Sequence, residues 1–458
     1  MIIPKSSLPG FLWPAVPSST GMLLMALQFQ IERSQWLAPD ELLNLQFQQL
    51  VPLLHHARTT VPLYAERLQA KTFQSLSTNS KAEYIRDIWS EIPLLSRTDL
   101  TGNTTDLQSR DIPKHHGKIT KRETSGSGGT SLKITDTAAN GLFWQAITLR
   151  EHLWQQRKFP ETFVGIRSGR YAKNPDEVKE FPIWGPSTGN IFETGPSASM
   201  YNTMSIENQA AQLQRLNPGY ILGYASNLQI LGKYFKKKGL KLPALHQIQT
   251  YGEMLLPETR ESCMDFFGVS LTDLYSCEEV GYIALQCPEH EHYHVQSEAI
   301  LVEVIDDQNN SCKPGEIGRV IVTSLHNFAM PIIRYDIGDY VEVGSPCDCG
   351  RGLPVIKRIL GRQQNRVRGL DGVRYWPELL PEIWQSFDEI DELRLIQDRI
   401  DHIEINVLSK GSLGDEGEAE LGRRVMQALD QDFKFTIAYD RERQRPPSGK
   451  YQRFVCLV

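Results

Sequence analysis

The chain has 458 residues, of which 40% are hydrophobic and 23% are charged, which is the composition of an ordinary folded protein. Collagen-like, coiled-coil and wholly disordered chains are therefore excluded, and the length allows about three domain-sized units or one large domain with a smaller satellite. The 49 Lys and Arg residues against 55 Asp and Glu give a net charge of −6, and no long basic run is present. We therefore expect no nucleic-acid partner.

The cysteine content and the N-terminus bear on the compartment. Seven cysteines are an odd number in a chain too long to need a disulfide framework, which favours a reducing, cytoplasmic compartment. Prolines interrupt the apolar N-terminus, and its longest apolar run, residues 22–27, is too short for a signal core or a membrane span. We predict a loosely ordered leader and no membrane span.

Helices come first along the chain. Apolar residues at helical spacing over residues 40–70 predict a helix that breaks at Val61-Pro62. Residues 93–100 read as a loop leading into a helix cap. Beyond residue 200 helices alternate with short apolar strands, which is typical of a mixed α/β domain. The predicted helices are 205–216, 226–238 and 257–267, and the predicted strands are 219–223, 247–251, 271–274, 299–305 and 319–325.

The pattern changes beyond Arg362. Residues 376–387 read as a helix, 394–397 and 402–408 as strands, and 411–417 as a polar loop. This pattern predicts a small α+β domain of about 95 residues at the end of the chain.

A glycine-rich segment, Thr-Ser-Gly-Ser-Gly-Gly-Thr-Ser, occupies residues 124–131. Its glycines allow backbone N–H groups to turn toward a ligand and its hydroxyls add neutral donors, which together suit the oxygens of a triphosphate. The same composition is also typical of a flexible linker. It is not a Walker loop, because no Gly-Lys-Ser/Thr follows at the required spacing.

Further segments follow in a fixed order, and each offers chemistry suited to a nucleotide. Residues 275–281 (YSCEEVG) place an aromatic ring, which offers a face to a purine, near two carboxylates, which suit Mg²⁺. Residues 333–339 (IRYDIGD) end in an aspartate able to accept hydrogen bonds from ribose hydroxyls. Residues 361–365 (GRQQN) and 447–450 (PSGK) complete the series.

In this order and spacing the segments resemble the adenylate-forming superfamily of acyl-CoA synthetases and adenylation domains, and within it the phenylacetate-CoA ligase branch. The resemblance runs from about residue 50 to the end. It implies an α/β fold with a large mixed α/β N-terminal domain, 1–361, that binds ATP and the acid. A small mobile α+β C-terminal domain, 362–458, would form a cap that carries the catalytic lysine.

The resemblance also implies roles for individual residues. Gly252 and Glu253 would flank the adenine, Tyr275 would stack on it, and Asp339 would bind the ribose. Glu279 would contact Mg²⁺ and the adenylate, with the role of Glu278 left open. The phosphate loop would wrap the β- and γ-phosphates through Thr124, Ser125, Gly126, Ser127, Gly128 and Gly129. Arg362 would contact the nucleotide at the interdomain linker, Gln364 would be the hinge, and Lys450 would be the catalytic lysine.

The implied reaction is ATP-dependent activation of an aromatic or other small organic acid to acyl-AMP, with release of pyrophosphate. Transfer of the acyl group to a thiol, foremost that of coenzyme A, would follow. A carrier protein or an amine is the alternative acceptor. The chain departs from the family pattern at Thr130-Ser131, where Lys-Pro is usual, and at Gln364-Asn365, where Asp-Asp is usual. A catalytically weak binding or scaffold homologue therefore stays open, as does the oligomeric state, with a homodimer as one option.

Four aromatic residues, Phe143, Trp144, Trp184 and Tyr220, are candidate walls of the acid pocket, with core packing as the alternative for each. Residues 185–189 (GPSTG) match the nucleophile elbow of serine hydrolases. That elbow needs a strand before it and a helix directly after it, and the following residues break too soon for a helix. We therefore do not expect a serine hydrolase.

A Cys/His set predicts a structural zinc site. Cys347 and Cys349 lie in a Pro/Gly loop, and Cys287 precedes a histidine-dense stretch. Together with one histidine they supply four tetrahedral ligands for zinc. The Cys-x-Cys spacing is tighter than the usual Cys-x-x-Cys, but the phenylacetate-CoA ligase branch carries a similar cluster. By position His294 is favoured as the fourth ligand, with His292 second.

Overall fold

The computed structural model describes residues 4–102, 104–123, 132–169, 172–377, 383–384, 386–387, 389–409, 411–440 and 452–458. In these ranges the helices are α1 Ser19–Ser34, α2 Pro39–Thr60, α3 Pro62–Arg67, α4 Ala82–Ile88, α5 Arg97–Gly102, α6 Ala138–Trp154, α7 Pro186–Gly189, α8 Ile206–Leu216, α9 Ala225–Lys238, α10 Pro257–Phe267 and α11 Gly414–Leu429.

The strands of the first part of the chain are β1 Ile119–Glu123, β2 Lys133–Thr137, β3 Phe163–Arg167, β4 Lys179–Phe181, β5 Ser197–Tyr201, β6 Tyr220–Gly223, β7 Gln247–Tyr251, β8 Ser270–Cys277, β9 Gly281–Gln286 and β10 Tyr293–Val295. The remaining strands are β11 Ile300–Ile305, β12 Ile317–Ser324, β13 Tyr335–Val343, β14 Val355–Arg362, β15 Val367–Arg368, β16 Arg374–Tyr375, β17 Ile390–Arg399, β18 His402–Ser409, β19 Lys434–Asp440 and β20 Phe454–Cys456.

A twelve-stranded mixed sheet dominates the molecule, in the order β11-β12-β13-β14-β10-β9-β8-β7-β6-β3-β5-β4. Its run β8-β7-β6-β3-β5 is parallel. These strands are buried because helices cover both faces: Ile221 packs in the core beneath α8, α9 and α10, and Leu222 packs against α6 on the other face. The carboxyl ends of the parallel strands therefore meet at one edge, where ligands bind in open α/β sheets.

The antiparallel half of the sheet packs against the N-terminal helices. Leu50 and Tyr64, from α2 and α3, share a core with Val322 and Tyr335. Leu95 pairs in parallel with Tyr335 through backbone hydrogen bonds, so the segment before α5 extends this half of the sheet. The predicted break at Val61-Pro62 separates α2 from α3.

A separate four-stranded sheet, in the order β19-β18-β17-β20, forms the C-terminal unit with α11. Its own core runs from Val367 to Cys456. The fold class is thus confirmed as a large mixed α/β domain followed by a small α+β domain. The boundary at 361/362 stays a prediction, and β14 ends at Arg362. Arg453, just before β20, forms an ion pair with Glu258 of α10, so it ties the small unit to the large one.

The predicted loosely ordered leader is wrong for residues 19–34, which form α1. The Ser18 hydroxyl caps this helix by accepting a hydrogen bond from the Gly21 N–H at 3.2 Å. Leu24 and Ile31 lie on one face and are buried against α6. Docking on α6 therefore orders a segment whose local sequence reads as irregular.

The predicted loop at 411–417 is wrong from Gly414 onward, where α11 begins. Asp415 and Glu416 lie in its first turn, where negative charge favours a helix N-terminus. Half of the predicted helix at 376–387, residues 378–382 and 385, lies outside the described residues. Of the described helices, none is long and apolar enough to cross a bilayer.

Candidate active site

The carboxyl end of β7 carries the first predicted nucleotide residues. Gly252 turns the chain with a φ of +73°, which glycine adopts without strain. Glu253 then accepts hydrogen bonds from the N–H (2.9 Å) and the hydroxyl (3.0 Å) of Ser226, at the start of α9. Next to it the rings of Tyr224 and Tyr251 stack at 4.8 Å. This edge of the sheet therefore joins a fixed carboxylate to a pair of aromatic faces.

Three further predicted residues meet at the end of β8. The Tyr275 hydroxyl donates a hydrogen bond to Asp339 Oδ2 at 3.0 Å, and Arg362 Nε donates to Asp339 Oδ1 at 3.3 Å. Register explains this contact, since Asp339 of β13 pairs directly with Arg362 of β14. Burial of the Tyr275 ring, with Asp339 beside it, raises the pKa of its hydroxyl well above the ordinary value. Tyr275 therefore acts here as a hydrogen-bond donor.

Glu279 lies in the turn between β8 and β9 and is held by an arginine. Its carboxylate forms a short ion pair with Arg97, whose guanidinium also hydrogen-bonds the Tyr335 hydroxyl. The Glu279 side chain is 10% exposed and that of Arg97 is 38% exposed. Arg97 reaches this position because Leu95 pairs with β13. Arg97 lies outside the motifs that predict the site.

The phosphate loop and the catalytic lysine lie outside the described residues. This holds for Thr124 to Gly129, for the departures Thr130 and Ser131, and for Lys450. The flanking strands β1 and β2 are described and pair as an antiparallel hairpin. Arg122 of β1 forms an ion pair with Asp136 of β2 at 2.9 Å, which fixes the base of that hairpin.

The four candidate pocket walls separate into two groups. Phe143 stacks on His326 at 3.6 Å, and Trp144 packs on Tyr282 at 4.6 Å. Trp144 also lies against Gly281, where an added Cβ would come within 2.9 Å of the indole. Trp144 is thus placed beside the turn that carries Glu279.

The rings of Trp184 and Tyr220 pack together with their centroids 5.5 Å apart, and both also contact Phe163. This group lies at the amino ends of β3 and β6. They lie at the edge of the parallel strands opposite to the nucleotide residues, so they are core residues there. The residues 185–189 also fail as a nucleophile elbow, because β4 ends at Phe181 and α7 is a single turn.

The predicted Cys/His set converges at the other end of β9, β10 and β14. One ligand atom from each of Cys287, His294, Cys347 and Cys349 lies within 4.8 Å of the other three. Cys287 and His294 flank the β9–β10 turn, and the other two lie in the loop between β13 and β14. Because β10 lies between β9 and β14, the two loops meet at one end of the sheet.

The chemistry of this donor set fits zinc. Bonds of about 2.3 Å from Zn²⁺ to sulfur place tetrahedral sulfur ligands about 3.8 Å apart, which the observed spacing permits. Backbone N–H groups of Glu289 and Cys349 point at the sulfurs of Cys287 and Cys347, at 3.5 and 3.4 Å, an arrangement that stabilises thiolates. The Nε2 of His294 lies 3.4 Å from the sulfur of Cys349.

The cysteine loop also contacts the N-terminal helices. The Gly352 N–H donates a hydrogen bond to the carbonyl of Gln35 at 2.8 Å. The Arg351 guanidinium lies between the rings of Trp36 and Trp154, 4.8 and 4.7 Å from their centroids. The loop is therefore anchored to the segment between α1 and α2.

A buried carboxyl group outside the predicted motifs lies between the two sites. Asp273 of β8 accepts hydrogen bonds from the hydroxyls of Thr250, at 2.5 Å, and Tyr293, at 2.7 Å. Burial raises the pKa of Asp273 to about 6. Its neighbours on β7 and β10 connect the nucleotide edge with the cysteine cluster.

This architecture is the fold of the adenylate-forming ligases. It superposes on the crystal structure of 2-hydroxyisobutyryl-CoA ligase in the postadenylation state with a TM-score of 0.72, over 93% of this chain and 91% of that chain, at 17% sequence identity.

In sequence the chain is similar to two enzymes named phenylacetate-coenzyme A ligase. The one from Thermus thermophilus is 26% identical over 241 residues, 51% of each chain. The one from Pseudomonas putida is 24% identical over 249 residues, 52% of this chain and 54% of that protein. The matched segment thus spans about half the length of these curated relatives. No protein-family model matches the chain.

Proposed function

We propose that the protein is an ATP-dependent acid–thiol ligase that activates a carboxylic acid as acyl-AMP and then transfers the acyl group to coenzyme A. The observation that carries this proposal is the meeting of Tyr275, Asp339 and Arg362 beside the Glu279 turn. The fold and the similarity to named phenylacetate-CoA ligases support the same reaction class. An aromatic or other small organic acid fits best, since aromatic rings line this edge.

Each residue then has a specific task. Asp339 accepts hydrogen bonds from the ribose hydroxyls, and Arg362 contacts the nucleotide. Lys450 stabilises the negative charge that develops as the carboxylate oxygen of the acid attacks the α-phosphorus of ATP. Pyrophosphate leaves in that step. The Glu279 carboxylate is the hard oxygen ligand that Mg²⁺ prefers. When bound, Mg²⁺ neutralises phosphate charge.

Pyrophosphate exchange into ATP, measured with a panel of carboxylic acids, tests the first step. We expect exchange with at least one acid, and Asp339→Asn should raise the KM for ATP about tenfold or more. The matched control is Asp336→Asn on the same strand, because Asp336 pairs with Arg319 at 2.6 Å and does not touch the Tyr275 group. Binding of ATP without exchange for any acid would favour the scaffold alternative.

The role of Lys450 separates the two half-reactions. Lys450→Ala should abolish exchange while transfer from preformed acyl-AMP to coenzyme A stays largely intact. Equal loss of both steps would contradict the assigned role. Replacing coenzyme A by a carrier protein or an amine in the second assay tests the alternative acceptors.

We also propose that Cys287, His294, Cys347 and Cys349 hold a structural Zn²⁺. The support is their convergence and the donor chemistry, three sulfurs and one nitrogen. Metal analysis of the purified chain should give at least one zinc per chain. Cys349→Ser should lower the zinc content and the thermal midpoint, whereas Cys263→Ser, a buried thiol outside the cluster, should keep the zinc. The seven free thiols agree with a reducing, cytoplasmic compartment, and the homodimer stays a prediction.

A further inference from the structure

Three histidines, His290, His292 and His294, occupy every second position of a segment that lies beside the cysteine loop. The Nε2 of His292 lies 3.0 Å from the sulfur of Cys347, and the ring of His290 stacks on that of His292 at 5.1 Å. His294 follows at 5.5 Å from His292 and belongs to the first cluster. These ring contacts place the three imidazoles in a row beside the cysteine loop.

An aspartate on the opposing loop completes a second set of donors. Asp348 Oδ1 lies 2.7 Å from His290 Nε2 and 3.9 Å from the sulfur of Cys347. One ligand atom from each of His290, Cys347 and Asp348 therefore lies within 4.8 Å of the other two. Cys347 belongs to both sets, so one sulfur faces the buried cluster and the outer group of donors.

The outer set differs from the inner one in exposure and charge. The Asp348 side chain is 86% exposed and that of His290 is 36% exposed, whereas His294 is fully buried. Glu289 and Glu291, on the same turn, are 60% and 76% exposed and lie 3.7 and 3.6 Å from arginines, so they belong to neither set of donors.

We propose that His290, Asp348 and the Cys347 thiolate, with His292 beside them, form a second and exchangeable Zn²⁺ site. The mixture of nitrogen, oxygen and sulfur donors suits a borderline divalent ion such as Zn²⁺ or Co²⁺, and does not suit Mg²⁺ or Ca²⁺. The shared thiolate bridges the two ions. Exposure makes the outer ion the weaker and more rapidly exchanging one. This proposal rests on the inner zinc cluster proposed above, because the two sites share Cys347.

Equilibrium dialysis of the full chain against increasing free Zn²⁺, with bound metal counted by mass spectrometry, tests the proposal. We expect two steps, with a tight first equivalent and a weaker second one. His290→Ala and Asp348→Asn should each weaken the second step tenfold or more and leave the first unchanged. Glu291→Gln is the matched control, since this exposed carboxylate on the same turn faces Arg260, and it should retain both steps.

The other outcomes are distinct. A single equivalent would overturn the second site and leave the inner cluster standing, whereas no bound zinc would overturn both. Two equivalents that neither variant affects would place the second ion elsewhere and also overturn the proposal. Co²⁺ tests the shared thiolate. Binding of the second Co²⁺ equivalent should increase the sulfur-to-cobalt absorption in proportion to the amount of that ion bound. A second equivalent that binds without any increase in this absorption would refute the bridge.

Discussion

Arg97 holds the Glu279 carboxylate that we assign to Mg²⁺. Removing the Arg97 side chain should therefore lower the Mg²⁺ concentration that the enzyme needs. In the structure the guanidinium pairs with Glu279 and with the Tyr335 hydroxyl. A metal ion that takes Glu279 as a ligand must compete with this ion pair. Arg97→Ala removes the competitor while leaving the carboxylate in place.

The size of the effect follows from exposure. Charge-assisted hydrogen bonds contribute about 1.5–3 kcal/mol, and the lower end applies because Arg97 is 38% exposed and partly screened. About 1.4 kcal/mol corresponds to a factor of ten in an equilibrium constant. Arg97→Ala should therefore lower the Mg²⁺ concentration for half-maximal pyrophosphate release about tenfold, while the free protein loses about 1.5 kcal/mol of stability.

The assay is pyrophosphate release at saturating ATP and acid over a range of free Mg²⁺. Arg97→Lys, which preserves a cation near Glu279, should stay close to the wild type. Arg67→Ala is the matched control, because Arg67 pairs with Asp99 at 2.7 Å on the same stretch of chain. A magnesium midpoint that is unchanged or higher in Arg97→Ala, with Arg67→Ala at the wild-type value, would refute the reasoning.

Three further predictions concern stability. Burial raises the pKa of Asp273 to about 6, from about 4 in an unfolded chain, so the folded state binds this proton more tightly and stability falls as the pH rises through that window. The loss is about 3 kcal/mol, and Asp273→Asn should remove this part of the pH dependence in urea unfolding; an unchanged slope would show that Asp273 does not titrate there. Gly352→Ala places a Cβ 1.7 Å from a backbone carbonyl oxygen and should cost about 3 kcal/mol in chemical denaturation, against less than about 0.5 kcal/mol for Gly411→Ala, which meets open space. Glu258→Gln breaks the ion pair to the C-terminal unit and should speed limited proteolysis near residues 363–366 tenfold or more. The control is Asp265→Asn on the same helix, whose exposed ion pair lies within the large unit, and it should leave the rate unchanged. Equal rates for the two variants would show that the Glu258 ion pair has no role in docking.

Local sequence signals, a proline and a helix cap, made two structural features predictable. The break between α2 and α3 follows from Val61-Pro62, because the residue before a proline avoids the helical region. The cap before α5 was also foreseen: the hydroxyl of Ser96 and the carboxylate of Asp99 each accept a hydrogen bond from the other residue's backbone N–H. In both cases the signal lies within four residues of the structure that it predicts.

The elements that were missed depend on distant partners. The glycines at the start of α11 suggested a loop, yet Gly422 within this helix permits close packing, since an added Cβ would lie 2.0 Å from the ring of Phe435. Likewise α1 is ordered by docking on α6, more than a hundred residues later in the chain. Neither partner is visible in a local window of sequence.

The candidate site shows the same division. Asp339 and Arg362 could be named from their motifs, and the sheet register brings them together. Arg97 and Glu279 are 182 positions apart in the chain, and no local sequence pattern predicts that they pair. Asp273 carried a usable signal, because a charged residue between Leu271 and Leu274 of a predicted strand requires buried hydrogen-bond partners.

The anchoring of the cysteine loop on the N-terminal helices has a consequence for synthesis of the chain. Gln35 Oε1 accepts a hydrogen bond from Arg351 Nε at 3.1 Å, across 316 positions. At about 5–20 residues per second, a ribosome needs roughly 15–60 s to translate that interval. The segment between α1 and α2 therefore emerges first, and the side chain of Trp36, which is 49% exposed in the folded protein, lacks its contact with Arg351 until then. We expect a molecular chaperone that shields apolar segments to bind nascent chains most strongly during this interval.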